Sequence, residues 1–516
     1  MVKYLDNNSG FNQWNSMQTQ KKQSKSLGFW GWLLLFLLAW WVMGLFIQPK
    51  NIENQSQQNV NIESSNLEPK NIDSDKISLD VRGLRISNIS LKEHYKTSKS
   101  DETVALLNED NNFIEIGLLS SDTQTPNINT VWDIKENNFN WKNKDKITFN
   151  RDISIKDYII KISDTIKNDS KQEISIAPYV HIFSTARDAK SAAVETGGIV
   201  YANSDLNYAH FMSLNKKSYA YSTVRGSSGF AAQYWETMVS VDANDQTISL
   251  KKSGDLYLAD TTVAPVKIAA GDSTTIDTYI FAGPRIGKIL NSSSENIPGL
   301  SKTMDYGWFW FFAQPMLWML NWLYTLVGNY GVAIILMTLI LRLLMWPLTR
   351  KSYASTMAMQ KMQPEIQRVQ KLYANDKARL QIEMMKVYQS HKTSPMSGCL
   401  PMLIQIPIFF ALYKALLISV PMRTAHFLWI SDLAAMDPYF ILPIIMGVTM
   451  WLQQFLQAPQ NQNKNDVMAS TQRVMKWLPV IFTIMFAWMP AGLVLYWTIS
   501  NVFSILQMHI IKKTMK

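Results

Sequence analysis

The chain has 516 residues, of which 47% are hydrophobic, and a formal net charge of +10. This length allows two or more domains. The single cysteine, Cys399, excludes an intramolecular disulfide and argues against a cysteine-based zinc site. The basic residues cluster beside apolar runs, so we interpret the charge as a sign of membrane topology rather than of nucleic-acid binding.

The first apolar run follows a polar N-terminal tail, residues 1–26. It covers residues 27–47, which are 21 residues; a helix of that length measures about 31 Å and matches the bilayer core. The run is long for a signal peptide, and no pattern of small residues at a cleavage site follows it. We therefore predict an uncleaved transmembrane anchor with its N-terminal tail in the cytosol.

A change of composition separates the anchor from the next region. Residues 48–76 are rich in Asn, Gln and Ser, which is typical of a flexible linker. Residues 77–300 contain short segments in which apolar and polar residues alternate, such as Ile77–Val81 and Phe113–Leu118. This pattern predicts a β-sandwich domain, which would lie on the far side of the membrane from residue 1.

The second half of the chain is dominated by apolar runs. Residues 301–328 are aromatic-rich but interrupted by Gln314, Pro315 and Asn321, so we predict an interfacial amphipathic helix, with a full span as the alternative. Five transmembrane helices are predicted after it, at 329–349, 399–420, 439–457, 474–489 and 492–511. The predicted fold class is thus a membrane α-helical protein of six transmembrane helices, five of them forming a core, plus a β-sandwich domain.

Loop charges provide a test of this topology. Residues 350–398 carry nine Lys or Arg against three acidic residues, whereas loop 421–438 carries one Arg and two Asp. Positively charged loops remain in the cytosol. We therefore place 350–398, 458–473 and the basic tail 512–516 in the cytosol, and 421–438 outside.

The charged segment 350–398 has the composition of two helices. We predict that Pro364 opens the first helix, and that Asn375 and Asp376 break the chain and cap a second helix over 377–390. The two helices would form a hairpin. Its basic face could contact lipid headgroups, ribosomal RNA or an acidic partner, or the hairpin could be a solvated cap packed on its own apolar face.

Arg342 lies inside the apolar run Tyr330–Leu348, and none of the predicted spans contains an Asp or Glu that could pair with it. An arginine at the centre of a membrane helix costs about 2.5–3.5 kcal/mol on insertion scales. We therefore predict a hydrated cavity within the bilayer. The alternative is that Arg342 extends its side chain to the nearby cytosolic interface.

Four further residues could line the same groove. Thr338 is four residues before Arg342 on one helix face, Trp497 and Asn501 have the same spacing, and Gln405 lies inside another span. The alternative for the polar members of this group is hydrogen bonding between helices. Lys414 is expected to extend outward from its span.

Motifs of covalent catalysis are missing from the sequence. The segment Gly283–Ile289 lacks the spacing of a phosphate loop, and there is neither an H-E-x-x-H nor a G-x-S-x-G motif. We predict no enzymatic activity, no catalytic residues, no cofactor and no metal.

Several segments together resemble the YidC membrane protein insertase family of Gram-negative bacteria, densely over 305–511 and loosely over the β-rich region. They are Asp305–Trp308, Gln314–Pro315, Val327–Gly331, Arg342 with Trp346–Thr349, Gly398–Pro401, Gln405–Phe409, Leu442–Gly447, Gly492–Trp497 and Phe281–Pro284. Trp497 departs from the family pattern, in which a second tyrosine is expected. An aromatic surface is kept there, without a hydroxyl.

The resemblance implies an insertase or chaperone of the inner membrane, with both termini in the cytosol and a large periplasmic domain. It implies a hydrophilic groove, open to cytosol and lipid, with its arginine at Arg342. We expect Thr338, Gln405, Trp497 and Asn501, singled out by their spacing or position, to contact the substrate in the same groove. The partners expected are nascent membrane proteins, the Sec translocon, anionic lipids, and the ribosome and signal recognition particle receptor at 350–398 and the basic tail.

Two other functions compete with insertion. A transporter or channel for an anionic solute would also use Arg342, but no inverted repeat or matched pair of broken helices is visible in the sequence. An envelope scaffold would instead act through the β-rich domain.

Overall fold

The computed structural model describes residues 67–96, 101–107, 112–185, 196–391, 400–457 and 468–514. The predicted cytosolic tail, the anchor 27–47 and residues 48–66 of the predicted linker lie outside this range. The described chain forms a β-domain, residues 70–284, followed by a helical region, residues 310–514.

Strands form where apolar and polar residues alternate. In the segment Ile77–Arg82, the side chains of Ile77, Leu79 and Val81 are buried and those between them are only half-buried. Because successive side chains of a strand point to opposite faces, this segment covers the core with one face only. The alternation predicted from the sequence is confirmed here.

The strands of the first sheet are β1 (Lys70–Asp73), β2 (Ile77–Arg82), β3 (Arg85–Tyr95), β4 (Thr103–Ala105), β5 (Phe113–Leu119), β10 (Ile174–Ser184), β13 (Tyr219–Thr223), β16 (Gln246–Ser253), β17 (Leu256–Val263) and β18 (Val266–Ile268). Their order is β1-β2-β3-β5-β10-β17-β16-β13, with β4 beside β3 and β18 beside β10. Strand β1 lies within the range predicted as linker. It is ordered because all four of its residues pair with β2.

The strands of the second sheet are β6 (Asp133–Lys135), β7 (Asn138–Lys142), β8 (Ile147–Lys156), β9 (Ile159–Asn168), β11 (Gly197–Ala202), β12 (Asp205–His210), β14 (Ser227–Ala231), β15 (Trp235–Val241) and β19 (Ser273–Pro284). Their order is β12-β11-β14-β15-β19-β9-β8-β7-β6. Ile, Leu, Val and aromatic side chains of both sheets form one core cluster. The predicted β-sandwich is confirmed.

The helices, in chain order, are α1 (Phe211–Leu214), α2 (Gly287–Ser293), α3 (Trp310–Val327), α4 (Tyr330–Leu344), α5 (Trp346–Leu372), α6 (Lys377–Ser390), α7 (Leu400–Ile418), α8 (Ile441–Gln457), α9 (Met468–Phe486) and α10 (Ala491–Thr514). Helix α3 buries one face, while its other face exposes aromatic side chains. Helix α9 begins at Met468, six residues before the start we predicted.

Helices α5 and α6 form the predicted hairpin. Asp376 caps α6 by accepting a hydrogen bond from the Arg379 N–H at 3.0 Å, as expected. The prediction that Pro364 opens the first helix is wrong, because α5 is continuous from Trp346 through Pro364. Met362 and Ile366, on either side of Pro364, are buried against α6, and this packing offsets the hydrogen bond that proline removes.

Length and apolarity alone identify few membrane-crossing helices in the described segments. Helix α10 is the one helix that meets both criteria by itself, and α4 with α5 meets them as a pair bent by 63°. Shorter apolar helices cover Gln405–Ile418, Ile441–Gln457 and Trp477–Phe486. These two criteria therefore support one or two spans.

The end of α7 and the segment after it pack against the β-domain. Ile418 and Val420 belong to the core cluster of the β-domain. The Gln233 side chain donates to the Leu417 carbonyl at 2.9 Å, and the Arg423 guanidinium lies 5.5 Å from the centroid of the Trp235 ring. The two regions thus share buried apolar side chains as well as polar contacts.

Candidate functional site

The arginine singled out from the sequence lies in the last turn of α4. Asn329 caps the start of this helix by accepting hydrogen bonds from the N–H groups of Gly331 and Val332. The helix stops at Leu344, and α5 leaves at the 63° bend. Arg342 therefore lies just before a sharp change of chain direction.

A neutral hydroxyl is the hydrogen-bond partner of the Arg342 side chain. Arg342 Nε donates to Ser500 Oγ of α10 at 2.7 Å, and Nη2 contacts the same oxygen. Within the described residues, Arg342 forms no ion pair with a carboxylate. Arg342 as a whole is half-buried, and the described residues provide no carboxylate that neutralises its charge.

A second polar contact lies one turn earlier on α10. Gln405 Nε2 of α7 donates to the Tyr496 hydroxyl at 2.7 Å. Tyr496 is four residues before Ser500, so both side chains lie on the same face of α10. The structure thus brings the predicted residues Arg342 and Gln405 to one face of one helix, through two residues that the prediction did not include.

An aromatic cluster adjoins these polar groups. The half-buried Trp497 ring lies 5.6 Å from Phe409, 5.2 Å from Phe486 and 6.1 Å from Phe482, measured between ring centroids. These distances are typical of aromatic pairs that stabilise one another. Trp497 therefore offers an apolar surface beside the Gln405–Tyr496 contact.

Thr338 and Asn501 are placed differently from our expectation. Thr338 is 0% exposed, and its hydroxyl donates to the Ile334 carbonyl of its own helix at 2.7 Å. Asn501 is buried, and its amide lies 3.3 Å from Thr449 Oγ1 and 3.5 Å from the Met446 carbonyl of α8. Asn501 thus forms hydrogen bonds between helices, which is the alternative considered for it above, whereas Thr338 forms its hydrogen bond within its own helix.

Lys414 has a partner that the sequence did not suggest. Its ammonium group forms an ion pair with Asp305, just before α3, and its side chain is largely buried. The lysine extends toward the β-domain end of the helical region, in the direction expected, but it ends on a carboxylate rather than in solvent.

Ser500 and Tyr496 are the site residues that sequence reasoning missed. Tyr496 stands in one of the segments that carry the family resemblance, but its hydroxyl was not considered. A serine in an apolar helix is common, so only the pairing of α10 with α4 shows the role of Ser500. For metals, the described side chains contain no group of three or more His, Cys, Asp or Glu that could hold an ion.

Comparisons with known proteins cover both regions. A family model described as 60Kd inner membrane protein matches residues 322–516, and one described as YidC periplasmic domain matches residues 71–319. A protein named membrane protein insertase YidC from Magnetococcus marinus is 35% identical over 465 residues, covering 85% of this chain and 82% of that protein. Its namesake from Zymomonas mobilis is 34% identical and covers 84% of this chain and 81% of that protein.

Solved structures give a weaker likeness. A crystal structure of an active YidC insertase with the first transmembrane domain resolved is 18% identical, covers 93% of this chain and 98% of that chain, and has a TM-score of 0.39. This structural similarity is too weak to support the family assignment, which rests on the sequence matches.

Proposed function

Since this chain belongs to the YidC family of membrane protein insertases, its function is the insertion of membrane proteins, and we propose that Arg342 is the polar contact for the inserting chain. This proposal is supported by the hydrogen-bond partner of Arg342, which is neutral. Its guanidinium donates to the Ser500 hydroxyl, which neutralises no charge. A carboxylate of an arriving segment would add the countercharge that the described residues do not provide.

The charge of Arg342 is costly inside a membrane. An arginine within a membrane helix is destabilising unless water, lipid phosphate or a ligand solvates it. A hydrated groove beside Arg342 would lower that cost and would shorten the apolar path of a polar segment. A hydrogen bond between two charged groups is about twice as strong as a neutral one, so acidic segments would be favoured there.

The apolar part of the inserting protein, called the client from here on, would contact a different surface. Trp497 and its aromatic neighbours lie beside the polar contacts, and the outer faces of α8 and α9 expose large apolar side chains. Transfer of apolar surface out of water contributes about 25 cal/mol per Å². This driving force needs no covalent chemistry.

The residues assigned to this contact differ in part from the set expected at first. We assign Arg342, Gln405 and Trp497 to the groove and add Ser500 and Tyr496 through their hydrogen bonds. Thr338 and Asn501 would support the groove from inside the helical region.

The chain would lie in the inner membrane with six spans, at 27–47, 329–349, 399–420, 439–457, 474–489 and 492–511. The β-domain is a YidC periplasmic domain, so the loop after α7, which packs against it, would be periplasmic as well. The basic hairpin and both termini would then lie in the cytosol, in keeping with the loop charges.

The hairpin α5–α6 would receive the client before the groove does. Apolar packing holds its two helices together, while Lys and Arg side chains such as Arg350 and Arg368 remain exposed. An exposed basic surface attracts ribosomal RNA, anionic lipids or an acidic receptor. We therefore propose that the ribosome, the signal recognition particle receptor and anionic lipids contact the hairpin and the tail 512–516, and that the protein acts alone or beside the Sec translocon.

The experiment compares two versions of one small client, with an acidic or a neutral translocated tail, in vesicles containing the full chain. Arg342→Ala should reduce insertion of the acidic-tailed client by roughly tenfold or more, because a hydrogen bond to a charged group contributes about 1.5–3 kcal/mol. The neutral-tailed client should insert at nearly the normal rate, and Arg342→Lys should retain most of the activity. Full-rate insertion of the acidic client by both variants would refute the proposal.

The same vesicles distinguish the competing functions. A transporter or channel for an anionic solute would lose solute flux in Arg342→Ala while both clients insert normally. An envelope scaffold would show neither change.

A further inference from the structure

Arg342 is also contacted through its backbone. Gln507 Nε2 of α10 donates to the Arg342 carbonyl oxygen at 3.3 Å, and the Gln507 side chain is 0% exposed. Gln507 is seven residues after Ser500, which is two helical turns, so both side chains lie on the same face of α10. Helix α10 therefore forms hydrogen bonds with both the side chain and the backbone of Arg342.

The position of this carbonyl explains why it needs a partner. The carbonyl groups in the last turn of a helix have no intrahelical N–H to accept from. Arg342 is in that last turn, because α4 ends at Leu344 before the 63° bend. An unsatisfied carbonyl in apolar surroundings is destabilising, so a buried amide that reaches it stabilises the bend.

Ser504 of α10 contacts α5, the helix on the other side of the bend. It lies between Ser500 and Gln507 on the same face of α10, and its carbonyl accepts a hydrogen bond from the Tyr353 hydroxyl of α5 at 3.4 Å. Ser500, Ser504 and Gln507 are all buried. We call these three residues the α10 polar seam, because they hold both α4 and α5 next to α10.

We propose that Gln507 is a positioning residue, which fixes the end of α4 so that the guanidinium of Arg342 faces the groove. This inference rests on the proposed function and extends it. Ser500 alone anchors only the tip of a long flexible side chain, whereas Gln507 anchors the backbone from which that side chain starts. Without Gln507, the arginine would keep its charge but would lose its fixed direction.

The test uses Gln507→Met, which keeps a similar volume and removes the donor. The measured quantity is the ratio of insertion rates for the acidic-tailed and neutral-tailed forms of the client, with the full chain in vesicles. We expect the ratio to fall about threefold to tenfold, the size of effect expected for one lost neutral hydrogen bond. The neutral-tailed client should insert at the wild-type rate, which also verifies that the variant is folded.

The matched control is Thr498→Val on the same helix. The Thr498 hydroxyl donates to the Val494 carbonyl of its own helix at 2.8 Å, so the variant removes a buried hydroxyl whose hydrogen bond stays within α10. This variant should leave the ratio unchanged. If Gln507→Met does not accumulate, Gln507→Asn is measured in its place, since its amide is one methylene too short to reach the carbonyl.

Two results would overturn the inference. An unchanged ratio would show that Gln507 does not orient the arginine, and an equal loss for both clients would show a role in stability only. Arg342→Ala is measured in parallel: if it leaves the ratio unchanged, the proposed function fails. If Arg342→Ala lowers the ratio and Gln507→Met does not, only the positioning role fails.

Discussion

The buried arginines of the β-domain differ from the arginine of the helical region in what balances their charge. Arg151 donates to both carboxylate oxygens of Asp164, at 2.7 and 2.9 Å, and also to the Ile116 carbonyl. Just after β19, Arg285 Nε lies 3.3 Å from Glu236 Oε2, in a carboxyl group that balances the arginine's charge when it is ionised. Arg342, in contrast, donates to a serine hydroxyl.

This difference separates two uses of a charged side chain. A buried ion pair whose hydrogen bonds are all internal holds strands together and leaves little charge for a ligand. A guanidinium whose described partner is neutral keeps its charge available. The next three predictions concern charged side chains that have a charged partner. The Arg342 and Gln507 variants concern the arginine whose partner is neutral.

The largest effect on stability is expected at Arg151. Arg151→Met would leave the Asp164 carboxylate buried without its partner, which costs about 3–5 kcal/mol when one member of a buried pair is removed. Denaturant unfolding of the full chain in detergent, followed by the circular dichroism of the β-domain, measures this cost. The double variant Arg151→Met/Asp164→Leu should recover most of the lost stability. If Arg151→Met instead changed the insertion ratio of the two clients without destabilising the β-domain, the distinction drawn here would be wrong.

A smaller, pH-dependent effect is expected at Glu236. Its burial raises the pKa of its carboxyl from 4.5 to about 7, against the opposing influence of Arg285 and of the hydrogen bond from Thr303. Between pH 4.5 and about pH 7, the Glu236 carboxyl is therefore mostly protonated in the folded state and mostly ionised in the unfolded state. The contribution of Glu236 to stability is complete below pH 4.5 and is lost as the pH rises to about 7.

The corresponding variant is Glu236→Gln, which cannot titrate. Relative to this variant, the wild-type β-domain should lose on the order of 2–3 kcal/mol of unfolding free energy between pH 5 and pH 7.5. Unfolding curves of both proteins at a series of pH values measure the difference. Parallel pH profiles would show that Glu236 keeps an ordinary pKa in the folded protein.

The smallest effect is expected for a solvent-exposed pair on the hairpin. Lys386 lies 2.7 Å from Glu383 on α6, and its side chain is 63% exposed. An exposed helical pair of this spacing contributes about 0.2–0.5 kcal/mol, so Lys386→Ala should shift the melting temperature only slightly. A loss of unfolding free energy above about 1 kcal/mol would show that the Lys386–Glu383 ion pair stabilises the protein more than its exposure predicts.

The β-sandwich could be predicted because alternation is a local signal. Strand β9, for example, alternates half-buried and buried positions over Ile159–Ile166. Strand β1 has only one apolar residue among its four, so it lacks this signal and was assigned to a linker, although pairing with β2 orders it. Pro364 was assigned to a helix start because the packing of Met362 and Ile366 against α6 is a tertiary effect, which the local sequence does not show.

The candidate site shows the same limit. Arg342 is identifiable from the sequence because a charge in an apolar run needs an explanation. Ser500 and Gln507 are ordinary residues for a helix, and their seven-residue spacing acquires meaning only when α10 packs beside the end of α4. Thr338 was expected in the groove because it shares a helix face with Arg342. One face can, however, be buried at one turn and open at the next.

The contact of Ile418 and Val420 with the β-domain also has a consequence for biosynthesis. The last strand, β19, ends at Pro284, so more than a hundred further residues must be translated before these two side chains exist. At roughly 5–20 residues per second this takes on the order of ten seconds. Until then the newly translated sandwich lacks two side chains of its core cluster, so its folding can be completed only after α7 has been synthesised.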